Sequence, residues 1–203
     1  MKKLISTLVL GLVLFRLPAA GQAIVYDILL AGKSVGELSI SPSRSGNGDH
    51  LRVRGAIDTF MYDVVYISEN QYENGVLKAS MSSQEVNGKL KEKTSTVKTA
   101  DRYRVTMVEG QAAAREAAPI AHPINYTVTS LYYWEPLNMK QIYSDRYGAM
   151  CAVQRVDAGA YDVVMPDGKK TRYTYVEGQC REVKSHIAGL NLVFRIRPAS
   201  VGR

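Results

Sequence analysis

The sequence predicts a mainly β protein. It reads as a single, strongly curved antiparallel meander of about 12–14 strands, a wrapped sheet or open barrel, with one short helix near residues 124–134. Three observations carry that expectation. Polar and apolar residues alternate in short runs, as at 50–58, where Leu51, Val53 and Ile57 oppose Arg52, Arg54 and Asp58; period two with that polarity is a half-buried strand. Turn dipeptides such as Asn74-Gly75, Asn87-Gly88 and Glu177-Gly178 separate the runs, at the spacing of roughly 8–12 residues typical of all-β folds. One stretch alone, residues 124–147, breaks the pattern. It holds the only Trp of the chain and, of its 13 Tyr, Tyr126, Tyr132, Tyr133, Tyr143 and Tyr147.

Taken in order, the chain opens with Lys2 and Lys3, an apolar run over 4–15, and small residues at Gly21 and Ala23. This is the pattern of a cleaved signal peptide over 1–23, its apolar run too short for the roughly 20 residues of a membrane span. The expectation is a periplasmic or secreted protein with no membrane span after cleavage. Residues 24–203 then form a single all-β domain, about 180 residues, long enough to bury a core without help from disulfides. The net charge of +7 includes Lys2, Lys3 and Arg16 of the leader. The remaining basic residues are scattered along strands rather than clustered among aromatics, which argues against nucleic acid.

Residues 24–30 and 35–41 read as the first hairpin, 42–49 as a loop tip and 50–58 as a strand. Residues 60–73 form a longer mixed strand before Asn74-Gly75. That dipeptide accepts the positive φ of a type I′ turn. Asn87-Gly88 leads into 89–99, a Thr-, Ser- and Lys-rich strand read as exposed and resistant to edge pairing. Residues 102–108 alternate again, and 110–121 is an Ala-rich loop or irregular turn. Beyond the central stretch, 150–156, 161–165, 169–176, 181–187 and 190–197 have strand length.

Within the central stretch, Ile124, Val128, Leu131 and Tyr132 fall at helical spacing and Pro123 suits a helix entry, while Thr127, Val128 and Thr129 favour strands. Glu135-Pro136 ends the segment. Tyr132, Tyr133, Trp134, Tyr143 and Tyr147 are the candidate core or ligand-pocket aromatics. Glu135, Asp145 and Arg146 are the local charges, with Arg146 expected to pair with one of the two acids. Cys151 and Cys180 are a candidate disulfide in an oxidising compartment.

The runs at 26–37, 87–94, 131–136 (Leu-Tyr-Tyr-Trp-Glu-Pro), 144–148 (Ser-Asp-Arg-Tyr-Gly) and 166–168 resemble a family of small exported bacterial β-proteins, typical of the Bacteroidota and classed as a domain of unknown function. The resemblance spans the chain after the leader and implies a curved antiparallel sheet. It implies no catalytic residue and no cofactor.

The chemistry points the same way. His50, His122 and His186 stand apart from one another and from any second ligand, so no metal motif is present. The one Gly-x-Ser-x-Gly string, Gly32-Lys33-Ser34-Val35-Gly36, falls in the first hairpin rather than in the strand-to-helix turn of a nucleophile elbow, and a glycine-rich phosphate loop is absent. The reading is an exported, non-enzymatic envelope protein with no cofactor, binding a hydrophobic or amphipathic ligand such as a lipid on its curved sheet. The alternative is a structural or interaction module that docks an envelope protein through a sheet edge or charged hairpins.

Overall fold

The computed structural model describes residues 23–45, 48–187 and 189–198; the expected leader lies, but for Ala23, outside them. The strands in chain order are β1 (Ile24–Leu30), β2 (Lys33–Ser45), β3 (Gly48–Asp58), β4 (Asp63–Glu73), β5 (Val76–Val86), β6 (Lys89–Lys98), β7 (Tyr103–Glu109), β8 (Arg115–Glu116), β9 (Gln141–Ser144), β10 (Ala149–Asp157), β11 (Ala160–Val164), β12 (Lys170–Val176), β13 (Gln179–Ile187) and β14 (Leu190–Ile196). They form one 14-stranded antiparallel sheet ordered β8-β7-β6-β5-β4-β3-β2-β1-β14-β13-β12-β11-β10-β9. The meander is interrupted once. The last strand returns to pair with the first, Ile28 opposite Phe194, so β1 lies mid-sheet and β8 and β9 are the edges.

Hairpin chemistry sets the registers. Asn74 and Gly75 have φ of 50° and 75°, and Asn87 and Gly88 have 51° and 70°, the twist that a two-residue hairpin loop needs. Several strands extend beyond the sequence reading. The expected loop at 42–49 is largely ladder, with Pro42 opposite Leu51 and Arg44 opposite Asp49. Pro42 is tolerated because β1 begins opposite Ile40, so no strand lies on its other side to miss an N–H. Conversely, Phe60, Met61 and Tyr62 belong to a turn and not to β4. The Ala-rich segment contributes the two-residue β8, which pairs with β7 through Met107 and Arg115.

The sheet curls until edge strand β9 lies against the inner face of β4–β7. Tyr143 meets Thr96 of β6, hydroxyl to hydroxyl at 2.5 Å, and Thr94 Oγ1 donates to Arg146 O at 2.7 Å. The two edges do not pair directly. The segment between them supplies the link: Ile120 pairs with Tyr103, Leu77 N donates to Ile124 O at 2.7 Å, and Tyr143 N donates to Tyr126 O at 3.0 Å. The expected helix shrinks to a 3₁₀ turn, Val128–Tyr132, capped by Thr127 and Ser130 in a reciprocal box. The β-branched run Thr127-Val128-Thr129 explains why no α-helix grows from it.

The interior is divided. Apolar side chains of β1, β2 and β10–β14, including Ile28, Ile40, Val163, Val183 and Leu192, form the larger core. The inner face of β4–β6 is polar instead: Ser68, Asn70, Ser80, Ser82, Thr94 and Thr96 are all buried. Strand β6 therefore corrects the exposed-strand reading. Its lysines face solvent, but Thr94 and Thr96 face inward, and both its neighbours are paired.

Candidate functional site

Between the two halves the fold leaves a mostly apolar cavity of about 150 Å³. Ile28, Leu38, Val53 and Tyr66 form one wall, and Tyr173, Val183 and Phe194 continue it across β12–β14. Val128, Thr129 and Tyr132 of the 3₁₀ turn close it from inside, and residues 144–147 of the β9–β10 turn form its polar side. Gly55 helps to keep it open. A Cβ there would stand 3.1 Å from Leu38 Cδ1 and 3.7 Å from Tyr66 Cβ, so a side chain would occupy the space that glycine leaves.

Tyr132 is the centre of the site. Its ring meets Tyr26 edge-on at 5.3 Å and Tyr173 at 6.0 Å, the geometry that aromatic quadrupoles favour. Burial raises the Tyr132 and Tyr173 phenols well above their usual range, so both are neutral donors at any physiological pH. Among the described residues neither hydroxyl has a hydrogen-bond partner, whereas Tyr26 OH donates to Cys180 O at 2.9 Å and Tyr175 OH to Leu131 O at 2.5 Å.

The expected charge pairing does not form; the three charges take separate partners. Asp145, buried, accepts from Ser68 Oγ, from Thr129 Oγ1 at 2.9 Å and from Asn70 Nδ2 at 3.4 Å. Arg146 pairs through Nε with Glu92 and lies over the Tyr147 ring at 5.4 Å. Burial works to lower its pKa, and Glu92 outweighs it. Glu135 accepts from Tyr161 OH at 2.7 Å on the far side of the core. The cause is the β9–β10 turn, which aims Asp145 and Arg146 at β4 and β6. Among the described residues Asp145 is the one acidic side chain lining the cavity, and Arg146 and Lys169 are cations in its wall.

The five predicted aromatics also part company. Tyr132 and Tyr147 line the cavity, and Tyr147 OH donates to Asp167 at 2.9 Å. Tyr143 is fully buried in a second small core with Leu77 and Tyr103. Tyr133 is half-buried and donates to Ile40 O at 3.1 Å. Trp134 is 48% exposed, edge-on to Tyr126 at 6.5 Å; it seals nothing.

The candidate disulfide is absent: Cys151 and Cys180 are free thiols. They sit on β10 and β13, with β11 and β12 between. Three strand spacings of about 4.8 Å exceed the roughly 7 Å that a disulfide spans.

Sequence reasoning missed Tyr66, Tyr173 and the Ser68–Asn70 pair. The signal was period two with polar residues inward: 66, 68, 70 and 72 share one face of β4, and 171, 173 and 175 share one face of β12. Of the histidines, His186 lines the cavity rim and contacts Asn191 at 2.8 Å. Buried Nε2 of His50 has no partner, and His122 is exposed. Among the described residues no three His, Cys, Asp or Glu gather into a metal-binding group, and no helix is long and apolar enough to cross a membrane.

The architecture is that of a β-barrel-like protein: a curved, unclosed antiparallel sheet around an internal cavity. A crystal structure titled as a β-barrel-like protein of domain of unknown function DUF1849, from Brucella abortus, is similar to it, with a TM-score of 0.52 and 11% identity over 88% of this chain and 96% of that one. At that identity the likeness is one of fold. The chain itself belongs to the family described as domain of unknown function DUF6134, which matches residues 26–197. No curated protein matches.

Proposed function

We propose that this is an exported bacterial envelope protein that binds a hydrophobic or amphipathic molecule, a lipid or acyl chain, without catalysing a reaction. The leader pattern at 1–23 supports export to the periplasm or beyond. The observation that carries the binding reading is the apolar cavity of about 150 Å³ left in an otherwise packed interior. A space of this size admits a ligand of about one benzene ring, so it seats a short stretch of chain or a single ring. Tyr132, Tyr173 and Arg146 supply donors for a carbonyl, ester or acidic head group at its wall.

The alternative, docking an envelope protein through a sheet edge, draws less support. β8 is two residues long, and β9 already receives Tyr126 O along its outer side. Such edges offer little ladder to add to.

Native mass spectrometry of protein purified from the periplasm tests the proposal: a co-travelling lipid-sized mass is expected. Val128→Phe, which places a ring in the cavity, is expected to remove that mass and to reduce binding of a dansyl-labelled fatty acid at least tenfold while the fold is kept. A bare protein mass together with no dansyl response would overturn the reading.

A further inference from the structure

The turn between β3 and β4 presents the two most exposed large apolar side chains of the described residues, with a third beside them. Phe60 is 105% exposed and Met61 66%, and Tyr62 next to them 46%. The turn is not loose. Thr59 N donates to Tyr62 O at 2.9 Å, and Thr59 Oγ1 both donates to Tyr62 O and accepts from Tyr62 N at 3.0 Å. The next hairpin braces it: Asp63 N donates to Asn87 Oδ1 at 2.9 Å, and Asn87 N donates to Asp63 O at 2.7 Å. Three consecutive apolar side chains held in water by this many hydrogen bonds mark an interaction surface.

Its position matters as much as its exposure. In this antiparallel order the turns β1–β2, β3–β4, β5–β6, β9–β10, β11–β12 and β13–β14 share one end of the sheet. The cavity reaches that end. Ile57 and Val64, both lining it, face each other across β3 and β4 just inside the tip, and Tyr147 and Lys169 line it from the turns opposite. The apolar tip therefore stands at the cavity rim.

The tip's size and its neighbours' charges indicate the partner. Side chains of this type bury about 150–250 Å² each, so the tip offers roughly 500 Å², short of the roughly 800 Å² per partner of a standard protein interface. A bilayer interface asks for no such minimum, and aromatic and thioether side chains suit it. Lys33 and Lys89, on the two flanking hairpins, are exposed and form no ion pair among the described residues, placed to reach lipid phosphates. Asp58 and Asp63, opposite each other at the base of the tip, stop deeper entry.

We infer that Phe60, Met61 and Tyr62 insert into the interfacial layer of a phospholipid bilayer and set the cavity rim against the membrane surface. Insertion stands on the tip alone. Passage of a lipid between membrane and cavity rests on the proposed function.

The test is co-sedimentation of the purified protein with phosphatidylcholine vesicles containing a minority of phosphatidylglycerol. The wild type is expected to sediment with them, and Phe60→Ser with Met61→Ser to lower the bound fraction about tenfold or more, with an unchanged circular dichroism spectrum. In a Trp134→Phe background, Phe60→Trp is expected to shift its emission to the blue on adding vesicles and to be quenched by brominated lipid. An unshifted Phe60→Trp emission, equal sedimentation of the double variant, or a wild-type oligomer that the double variant dissolves would each overturn the inference. The cavity variant Val128→Phe is expected to sediment like the wild type. Vesicle binding without any dansyl response would therefore count against the ligand reading and leave the tip's role standing.

Discussion

Tyr132 and Trp134 are two residues apart, both aromatic, and end in opposite environments. A 3₁₀ turn advances about 120° per residue, so the turn that buries Tyr132 between Tyr26 and Tyr173 carries the chain around before Trp134 is reached. Trp134 contributes its backbone instead, its carbonyl lying 3.4 Å from Tyr175 OH. Trp134→Ala is accordingly expected to cost only about 1 kcal/mol, its edge-on contact with Tyr126 and tilted contact with Tyr133. Tyr132→Ala is expected to cost about 3 kcal/mol, because its ring packs between Tyr26 and Tyr173 against the large core. Tyr132→Phe is expected to change stability by about 0.5 kcal/mol or less, since the hydroxyl it removes has no partner. Urea denaturation of the three variants checks this. A Trp134→Ala loss equal to that of Tyr132→Ala would put the indole back in the core. Residue fates of this kind were not legible in the sequence, because they depend on whether residues 124–134 coil or extend. The buried polar face was missed for a related reason. Ser68, Asn70, Thr94 and Thr96 look like solvent residues until Asp145, distant in sequence, supplies the acceptor for Ser68 and Asn70 and Tyr143 the partner for Thr96.

At the scale of elements the sequence was far more readable. Strands such as β3 and β14 alternate cleanly, and Asn-Gly and Glu-Gly pairs mark hairpin turns whose φ values are positive at both residues. Less visible was the curvature. It shows at Gly36, which faces Ile28 of β1 and Ile57 of β3 beside the register shift between Ile28 and Leu29. A Cβ on Gly36 would lie 2.0 Å from Ala56 O, so β2 and β3 approach more closely there than any side chain permits. Gly32, in the neighbouring turn, has φ of +80° and open space around its Cβ position. The two glycines therefore predict different penalties. Gly36→Ala must push backbone apart and is expected to cost about 3 kcal/mol or more. Gly32→Ala meets only left-handed backbone strain, about 1–2 kcal/mol. Thermal melts of both variants separate the cases, and equal shifts would mean that the sheet at Gly36 flexes instead of resisting.

For the whole molecule, the concentration of buried phenols and thiols sets a pH limit. Burial raises Cys151 from 9.0 to about 11 and Cys180 from 9.0 to about 12. Burial also raises Tyr72 from 10.0 to about 12, and it raises Tyr26, Tyr66, Tyr132, Tyr143, Tyr173 and Tyr175 further still. In the unfolded chain thiols titrate near 8.5 and phenols near 10. Between those values and the raised ones the folded protein holds more protons than the unfolded chain, so stability falls as pH rises. The contribution is whole below about pH 8.5 and is lost progressively as the pH climbs through about 11 to 12. The urea midpoint is expected to stay level from neutral pH to about 8.5 and then to drop with a slope that steepens as the tyrosines join the cysteines. Tyrosinate absorbance supplies the internal check. The buried set is expected to ionise only together with loss of the fold. Tyr132 and Tyr173 border the cavity, so they report on whether it is dry. If they ionise while the sheet is still folded, hydroxide reaches the space between the two halves. In that case the cavity is a wet cleft and not a seat for an apolar chain.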